Sequence, residues 1–248
     1  MQFSAQLLTR AVNILVAMNI LMFFVHSQVM GGLDSSLALH FPKNDNYGIW
    51  QYFSHMFMHG NLMHLVFNMY ALWMFGSALE SVLGKVRFLI FYFACGIGAA
   101  VIYNAVNYFR FDQIYSILAD SGLSGPDIMQ MIKQYSYPPS VIDEAQAGKM
   151  FNTFYAPMVG ASGAIYGILV AFALYFPNNK LMILFIPYPI AAKFFVPVLI
   201  AIDLFSGVTG FSLFGGGVAH FAHVGGAIIG FLLLFIWRKE FTRKSVIR

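Results

Sequence analysis

The stretch Gly160–Gly167, with the sequence GASGAIYG, opens an apolar run and decides how this chain of 248 residues folds. It places Ser162 between two small residues at the point where the run begins. The run continues without a charged side chain to Asn179, which is long enough to enter a membrane. Ser162 is therefore a packing residue between helices, a hydrogen-bonding group or a nucleophile. Which role it has depends on the residues elsewhere in the chain that can lie beside it.

The composition indicates a polytopic membrane protein. Hydrophobic residues make up 59% of the chain and charged residues 10%, and the mean hydropathy is +0.71. Soluble domains carry about 25% charged residues, and a membrane-spanning helix needs about 20 apolar ones. We therefore predict an all-α polytopic membrane protein, one domain over residues 1–248, with a six-transmembrane-helix bundle. The predicted helices are at about 11–30, 61–80, 87–107, 158–177, 193–212 and 218–237.

The distribution of positive charge predicts the orientation of these helices. With a cytoplasmic N-terminus, ten of the 14 Lys and Arg residues lie inside, and four lie outside, namely Lys43, Arg110, Lys133 and Lys149. This asymmetry fits the positive-inside rule. We expect a multi-pass protein of the cell inner membrane with both termini cytoplasmic and the first helix an uncleaved anchor. The basic pI reflects topology, so the lipid bilayer is an expected partner and nucleic acid is not.

Two outer loops stand out. The segment at about 31–60 mixes aromatic and polar residues in a way that suits the bilayer surface. The segment at about 108–157 is a long insertion, and loops of that length are commonly functional or disordered. Ser124 with Pro126 predicts the start of one short helix there, and a second is expected after Ser140.

Polar residues at membrane depth are costly and are usually functional. Here they gather at the predicted outer ends of helices two, four and six, where His64, Asn68, Ser162 and His223 lie. A serine hydroxyl needs a hydrogen-bonded base to act as a nucleophile, and histidine is the usual one. These three helix ends can therefore meet at one depth, with Ser162 and His223 as the natural pair.

Glycine spacing supports this pairing. Gly163 and Gly167 form a G-x-x-x-G pattern on helix four, and Gly226 and Gly230 repeat it on helix six. Small residues at that spacing let membrane helices approach closely. His223 shares the glycine face of helix six, whereas His220 does not, so His223 is preferred as the base.

Support for an acyl-transfer reaction comes from residues that can donate hydrogen bonds. His64 and Asn68 share one face of helix two, and the Ser162 amide near a helix N-terminus adds a third donor. Tyr166, four residues after Ser162, is placed to pack on the His223 ring. Glu80 and Asp203 show no spacing that reaches His223. The residues therefore predict a Ser-His dyad without an acid.

Each of these features has an alternative. Serine between glycines in a membrane helix is more often a packing residue. The row His55, His59 and His64 is a candidate metal site, although no acidic residue interleaves it and H-E-x-x-H is absent. The single cysteine, Cys95, excludes an intrachain disulfide and a thiol cluster. A transporter is disfavoured because two related halves are not evident.

Three motifs in order along the chain, HLVFN, GASGAIYG and AHVGGAIIG, resemble those of the rhomboid family of intramembrane serine proteases. The resemblance covers nearly the whole chain. It implies Ser162 as the nucleophile, His223 as the general base, and His64 and Asn68 at the oxyanion hole. Gly160 belongs to the G-x-S-G motif, Tyr166 resembles the residue that stacks on the catalytic histidine, and Glu80 matches a structural glutamate.

The resemblance also implies that no cofactor or metal is needed. It implies transmembrane protein substrates, admitted past helix five and the loop that follows it, whose five glycines predict a mobile cap. Two departures are visible. Trp50-Gln51 replaces the Trp-Arg of many rhomboids, which removes an interfacial cation, and the 108–157 insertion exceeds what a minimal member needs. A catalytically inactive relative that binds membrane clients is the main alternative.

Overall fold

The computed structural model describes residues 10–29, 36–183, 186–211 and 219–245. The chain is mostly helical. The second predicted span is interrupted by a π-helical turn at Leu72–Gly76, and a single 3-10 turn, His55–Phe57, precedes it. The elements in chain order are α1 (Ala11–Val29), α2 (Gln51–Ser54), α3 (Leu62–Ala71), α4 (Ser77–Leu83), α5 (Lys85–Asp120), α6 (Gly125–Lys133), α7 (Glu144–Tyr155), α8 (Ser162–Tyr175), β1 (Lys180–Ile183), β2 (Ile186–Ala191), α9 (Ala192–Thr209) and α10 (His220–Ser245).

The helices are long and apolar enough for a multi-pass membrane protein. Within the described ranges, four helical segments have spanning length, namely Leu62–Leu83, Lys85–Asp120, Ala192–Thr209 and His220–Trp237. Two further apolar helices, Ala11–His26 and Ser162–Tyr175, are shorter. Large apolar side chains such as Phe67, Tyr70 and Phe235 are more than half exposed, as lipid-facing residues would be. A count of six spans therefore depends on the two shorter helices.

The mostly helical fold that the sequence predicts includes one pair of strands. Between α8 and α9 the chain forms an antiparallel hairpin, in which Lys180 pairs with Ala191, Leu181 with Ile190 and Ile183 with Ile186. The isoleucines of this segment favour extended backbone over a coil, and the two strands then pair their backbone groups. The sequence analysis predicts only a connection here, so the hairpin is an addition to it.

The long insertion begins later than predicted, because α5 does not end near residue 107. Its 36 residues reach about 54 Å, well beyond a hydrocarbon core of about 30 Å. Beyond residue 107, α5 packs with α6, α7 and the first outer loop around a second apolar cluster. The buried members of this outer cluster are Phe41, Phe111, Ile114, Leu118, Ile128, Ile132, Ile142, Ala147, Met150 and Phe154.

Caps fix the two short helices of the insertion. Ser124 accepts from the amide of Asp127, with Pro126 in the first turn, so α6 starts where the sequence predicts. Helix α7 begins after Asp143, which forms a capping box with Gln146, and not directly after Ser140. The insertion is thus a folded outer subdomain.

Glu80 stabilises the start of α1 through its side chain. Its side chain is 8% exposed, and its two carboxylate oxygens accept hydrogen bonds from the amides of Ala11 at 2.8 Å and Val12 at 3.0 Å. These amides belong to the first turn of α1, where no helix carbonyl is available to them. Glu80 therefore caps α1 from the end of the second span.

Helices α8 and α10 touch backbone to backbone along their glycines. A Cβ on Gly226 would stand 1.8 Å from the carbonyl oxygen of Gly163, and one on Gly230 would stand 2.7 Å from the Cα of Gly167. No side chain fits in either place. This contact brings the first turn of α8 beside the first turn of α10, as the paired G-x-x-x-G patterns predict.

Replacing Gly226 with alanine should therefore destabilise the protein by at least about 2 kcal/mol, because backbone, not a flexible side chain, occupies the space for the new methyl group. Thermal unfolding in detergent measures this. The matched control is Gly148→Ala in α7, where nothing lies within 4 Å of the added carbon and the melting temperature should not fall. Equal melting temperatures for the two variants would contradict the packing described.

Candidate active site

Ser162 is the first residue of α8, and His223 lies one turn into α10. The glycine contact between these helices brings the two side chains together, with Ser162 Oγ 2.8 Å from His223 Nε2. Both residues are partly buried within the helix bundle. This is the hydrogen bond that a serine nucleophile and its base require.

The ring of Tyr166 stacks on the ring of His223. The two centroids are 4.2 Å apart and the planes differ by 10°. Tyr166 follows Ser162 by one helical turn, so α8 supplies both the hydroxyl and the surface that limits rotation of the imidazole. The packing that the i+4 spacing predicts is present.

The expectation that no carboxylate reaches His223 is wrong. Asp203, in α9, is 5% exposed, and its Oδ1 lies 3.1 Å from His223 Nδ1. A carboxylate oxygen accepts from N–H, so this contact places a proton on Nδ1 and leaves Nε2 free to accept from Ser162. The arrangement is a line of three groups, Asp203, His223 and Ser162, and not a pair.

Asp203 receives two other hydrogen bonds. His220 Nδ1 lies 2.6 Å from the same Oδ1, and the Tyr166 hydroxyl donates to Oδ2. Three donors on one carboxylate favour its ionised form and offset the cost of holding a charge at membrane depth. His220 thus contacts the acid, and not Ser162, which agrees with the preference for His223 as the base.

Sequence reasoning missed Asp203 because the apolar residues of α9 do not define one face. The sequence therefore does not predict how α9 is rotated about its own axis or how it is tilted against α10. One signal was available: Asp203 is the only acidic residue of the predicted fifth span, and a charge there needs partners.

On the other side of Ser162 lies His64. Gly160 has a φ of +116°, a conformation that glycine adopts readily. A Cβ at Gly160 would stand 2.8 Å from His64 Cε1 and Nε2 and 3.8 Å from Ser162 Oγ. The absence of a Cβ at Gly160 therefore lets the imidazole edge of His64 approach the backbone just before Ser162.

Asn68 lies one turn after His64, and its Nδ2 donates to the His64 carbonyl at 2.8 Å. The NH₂ group carries a second donor hydrogen. Asn61 caps α3 by accepting from the His64 amide at 2.8 Å, which fixes where the helix begins and so the depth of His64.

The first outer loop holds the segment that leads into Ser162. Leu39 and Met158 exchange two backbone hydrogen bonds of 3.0 and 2.8 Å, and the Gly160 amide donates to the His55 carbonyl at 2.9 Å. Gln51 is fully buried, and its amide contacts backbone groups of Ser36, His40 and Asn46. Gln51 therefore organises the loop from within, whereas Trp50 is exposed.

The histidine row that leads into the second span is not arranged as a metal site. His55 Nδ1 lies 2.8 Å from the Gln51 carbonyl, and the rings of His59 and His64 meet edge to face at 5.1 Å. Burial lowers the pKa of His55 to about 4 and that of His59 to about 3, so both are neutral. Metal-ligating atoms in the described part of the chain converge instead at Asp203, His220 and His223.

The loop after α9 is described only at its two ends. α9 ends at Thr209, and Gly210 takes a left-handed conformation with a φ of +79°. Of the predicted cap at 207–218, residues 212–218 lie outside the described residues. Arg110 of α5 donates to the Gly207 carbonyl at 2.5 Å and lies over the Phe221 ring at 4.6 Å. The end of α9 and the start of α10 are thus joined by a residue of α5.

Comparison with known proteins identifies the family of this chain. The model of the Rhomboid domain family matches residues 46–240. The chain is 30% identical over 198 residues to the rhomboid protease AarA of Providencia stuartii, covering 74% of this chain and 54% of that protein. It is 29% identical over 175 residues to the human presenilin-associated rhomboid-like protein, mitochondrial, covering 70% of this chain and 34% of that protein.

A further relative is rhomboid protein 1, mitochondrial, of Saccharomyces cerevisiae, which is 27% identical over 176 residues. That match covers 71% of this chain and 38% of the yeast protein. The chain thus spans about a third of the length of the mitochondrial relatives. The family match, however, extends over most of the chain and contains all of the residues that surround Ser162. The chain belongs to the rhomboid family.

Proposed function

We propose that this protein is an intramembrane serine endopeptidase that cleaves transmembrane protein substrates. The observation that carries the proposal is the 2.8 Å contact between Ser162 Oγ and His223 Nε2, made where two apolar helices begin. We further propose one rhomboid domain over residues 1–248 with six spans. It would lie in the cell inner membrane with both termini cytoplasmic, as the distribution of Lys and Arg favours.

In the first half of the reaction, His223 Nε2 takes the Ser162 proton as the serine oxygen bonds to the substrate carbonyl carbon. The resulting tetrahedral oxyanion collapses, the C–N bond breaks, and His223 returns the proton to the leaving amine. Asp203 holds the Nδ1 proton throughout and faces the imidazolium that forms. In the second half, water adds to the acyl-enzyme with His223 again as base, and Ser162 is regenerated.

The oxyanion would form beside Ser162, on the side where the ring of His64 lies. His64 is close to Gly160, Asn68 has a second amide hydrogen to offer, and the Ser162 amide has no carbonyl partner four residues earlier in α8. Donors fixed before the reaction stabilise developing charge at little reorganisation cost, and each is worth about 10²–10³ in rate. The chemistry of these groups requires no cofactor.

The experiment that tests this function uses the purified chain in liposomes with a reporter protein that has one transmembrane segment. Cleavage should produce two fragments with new termini inside that segment, as read by mass spectrometry. A serine-reactive isocoumarin should prevent it. If the protein binds the reporter and leaves it intact, the account fails and the alternative, an inactive relative that binds membrane clients, takes its place.

A further inference from the structure

Two histidines and one aspartate meet beside the nucleophile in a pattern that the proposed reaction does not need in full. Catalysis uses the contact between His223 and Asp203, whereas His220 makes a second and shorter contact to the same oxygen. One ligand atom from each of Asp203, His220 and His223 lies within 4.8 Å of the other two.

From this cluster we infer an inhibitory zinc site formed by Asp203, His220 and His223. The inference rests on the proposed function, since inhibition presupposes that His223 is the base. Zn²⁺ binds histidine nitrogen at about 2.0–2.1 Å and carboxylate oxygen at about 2.0–2.2 Å, with ligands about 3.3 Å apart in a tetrahedral site. The observed separations of 2.6 and 3.1 Å from Asp203 Oδ1 are within a small side-chain adjustment of that value.

Neighbouring groups hold the ligands in place. Tyr166 donates to Asp203 Oδ2, which leaves Oδ1 to the ion and fixes the carboxylate plane. The stack of Tyr166 on His223 limits rotation of that ring, so Nδ1 keeps facing Asp203. Outer contacts of this kind orient metal ligands. The side chains of His220 and His223 are 11% and 12% exposed, which leaves an edge for an ion and a water ligand to reach.

The effect on the base follows from the chemistry of imidazole. A neutral ring has one N–H, and a metal on Nδ1 requires the lone pair there, so the proton resides on Nε2. Nε2 then donates to Ser162 Oγ and cannot accept its proton. Zinc would stop catalysis by fixing the wrong tautomer of His223, without touching Ser162.

The test first measures binding in the Ser162→Ala variant, which requires no activity. ZnCl₂ titrated calorimetrically in chelator-free buffer should give about one ion per chain. Adding His220→Gln, or in a separate variant the isosteric Asp203→Asn, should weaken binding at least about tenfold, while His26→Gln on α1 should not. Absence of binding, or equal binding by all variants, would overturn the site and leave the protease proposal standing.

The second measurement is inhibition of reporter cleavage, with each variant compared with its own metal-free rate. Zinc should inhibit the wild type reversibly, with EDTA restoring activity, and the His220→Gln variant should need at least about tenfold more zinc. Equal sensitivity of the two proteins, or activation by zinc, would overturn the inference. If metal-free wild type does not cleave the reporter at all, the proposed function is contradicted. The zinc site is still tested in that case, because zinc binding is measured separately in the Ser162→Ala variant.

Discussion

Replacing Ser162 or His223 with alanine should each lower kcat/KM for a transmembrane reporter by at least about 10⁴-fold. The two residues share one proton in the same step, across a 2.8 Å hydrogen bond, so neither works without the other. The double variant should therefore be no slower than either single variant. A reporter assay in liposomes over long incubation gives all three rates.

The control for this prediction lies on the same helix. His220 is three residues from His223 and contacts Asp203, but no contact joins it to Ser162 within the described residues. His220→Ala should therefore cost far less than His223→Ala. If the two alanine variants lost activity equally, or if Ser162→Ala cleaved at the wild-type rate, the assignment of nucleophile and base would be wrong.

Replacing Asp203 with asparagine should lower kcat about 10²–10³-fold and leave KM nearly unchanged. An amide in place of the carboxylate can present N–H to His223 Nδ1, which favours the tautomer with the proton on Nε2. It also removes the negative charge that faces the imidazolium. The loss should be smaller than for His223→Ala, since Tyr166 still stacks on the ring.

The measurements on Asp203 variants have to distinguish a role in positioning His223 from a role in the stability of the fold. The melting temperature of Asp203→Asn should stay within a few degrees of the wild type, and Asp203→Glu should recover part of kcat because it restores a carboxylate. An unchanged kcat in a folded Asp203→Asn protein would show that the contact between Asp203 and His223 does not contribute to catalysis. A parallel loss of kcat and stability would assign Asp203 a structural role.

The sequence predicts the α8–α10 contact well because the spacing of the glycines determines which face of each helix can approach another helix closely. Gly226 shares a face with His223, and that face meets Gly163, so the spacing of residues along the two helices is enough to pair the serine with the histidine. The Tyr166 stack follows from the same helical geometry. These predictions depend on spacing within one helix, which a sequence displays directly.

Three features could not be predicted because they depend on how elements are rotated or how far they extend. Asp203 lies on a helix whose apolar residues do not define one face, so its orientation is set by packing against α10. The helix α5 continues to Asp120 because the outer cluster around Phe111 supports it beyond its predicted end near residue 107. Gln51 stands where many rhomboids have arginine, and the sequence therefore suggests the loss of a cation at the bilayer surface. In the structure Gln51 is buried, and its side chain forms hydrogen bonds with backbone groups of the first outer loop.

The central claim is that Ser162 is an activated nucleophile, and labelling with a fluorophosphonate probe tests it most directly. The detergent-solubilised wild type should be labelled on Ser162, as located by peptide mass spectrometry, and labelling should disappear in both Ser162→Ala and His223→Ala. Folded wild-type protein that takes up no label, or a label that persists in Ser162→Ala, would contradict the claim and leave Ser162 as a packing residue between glycines.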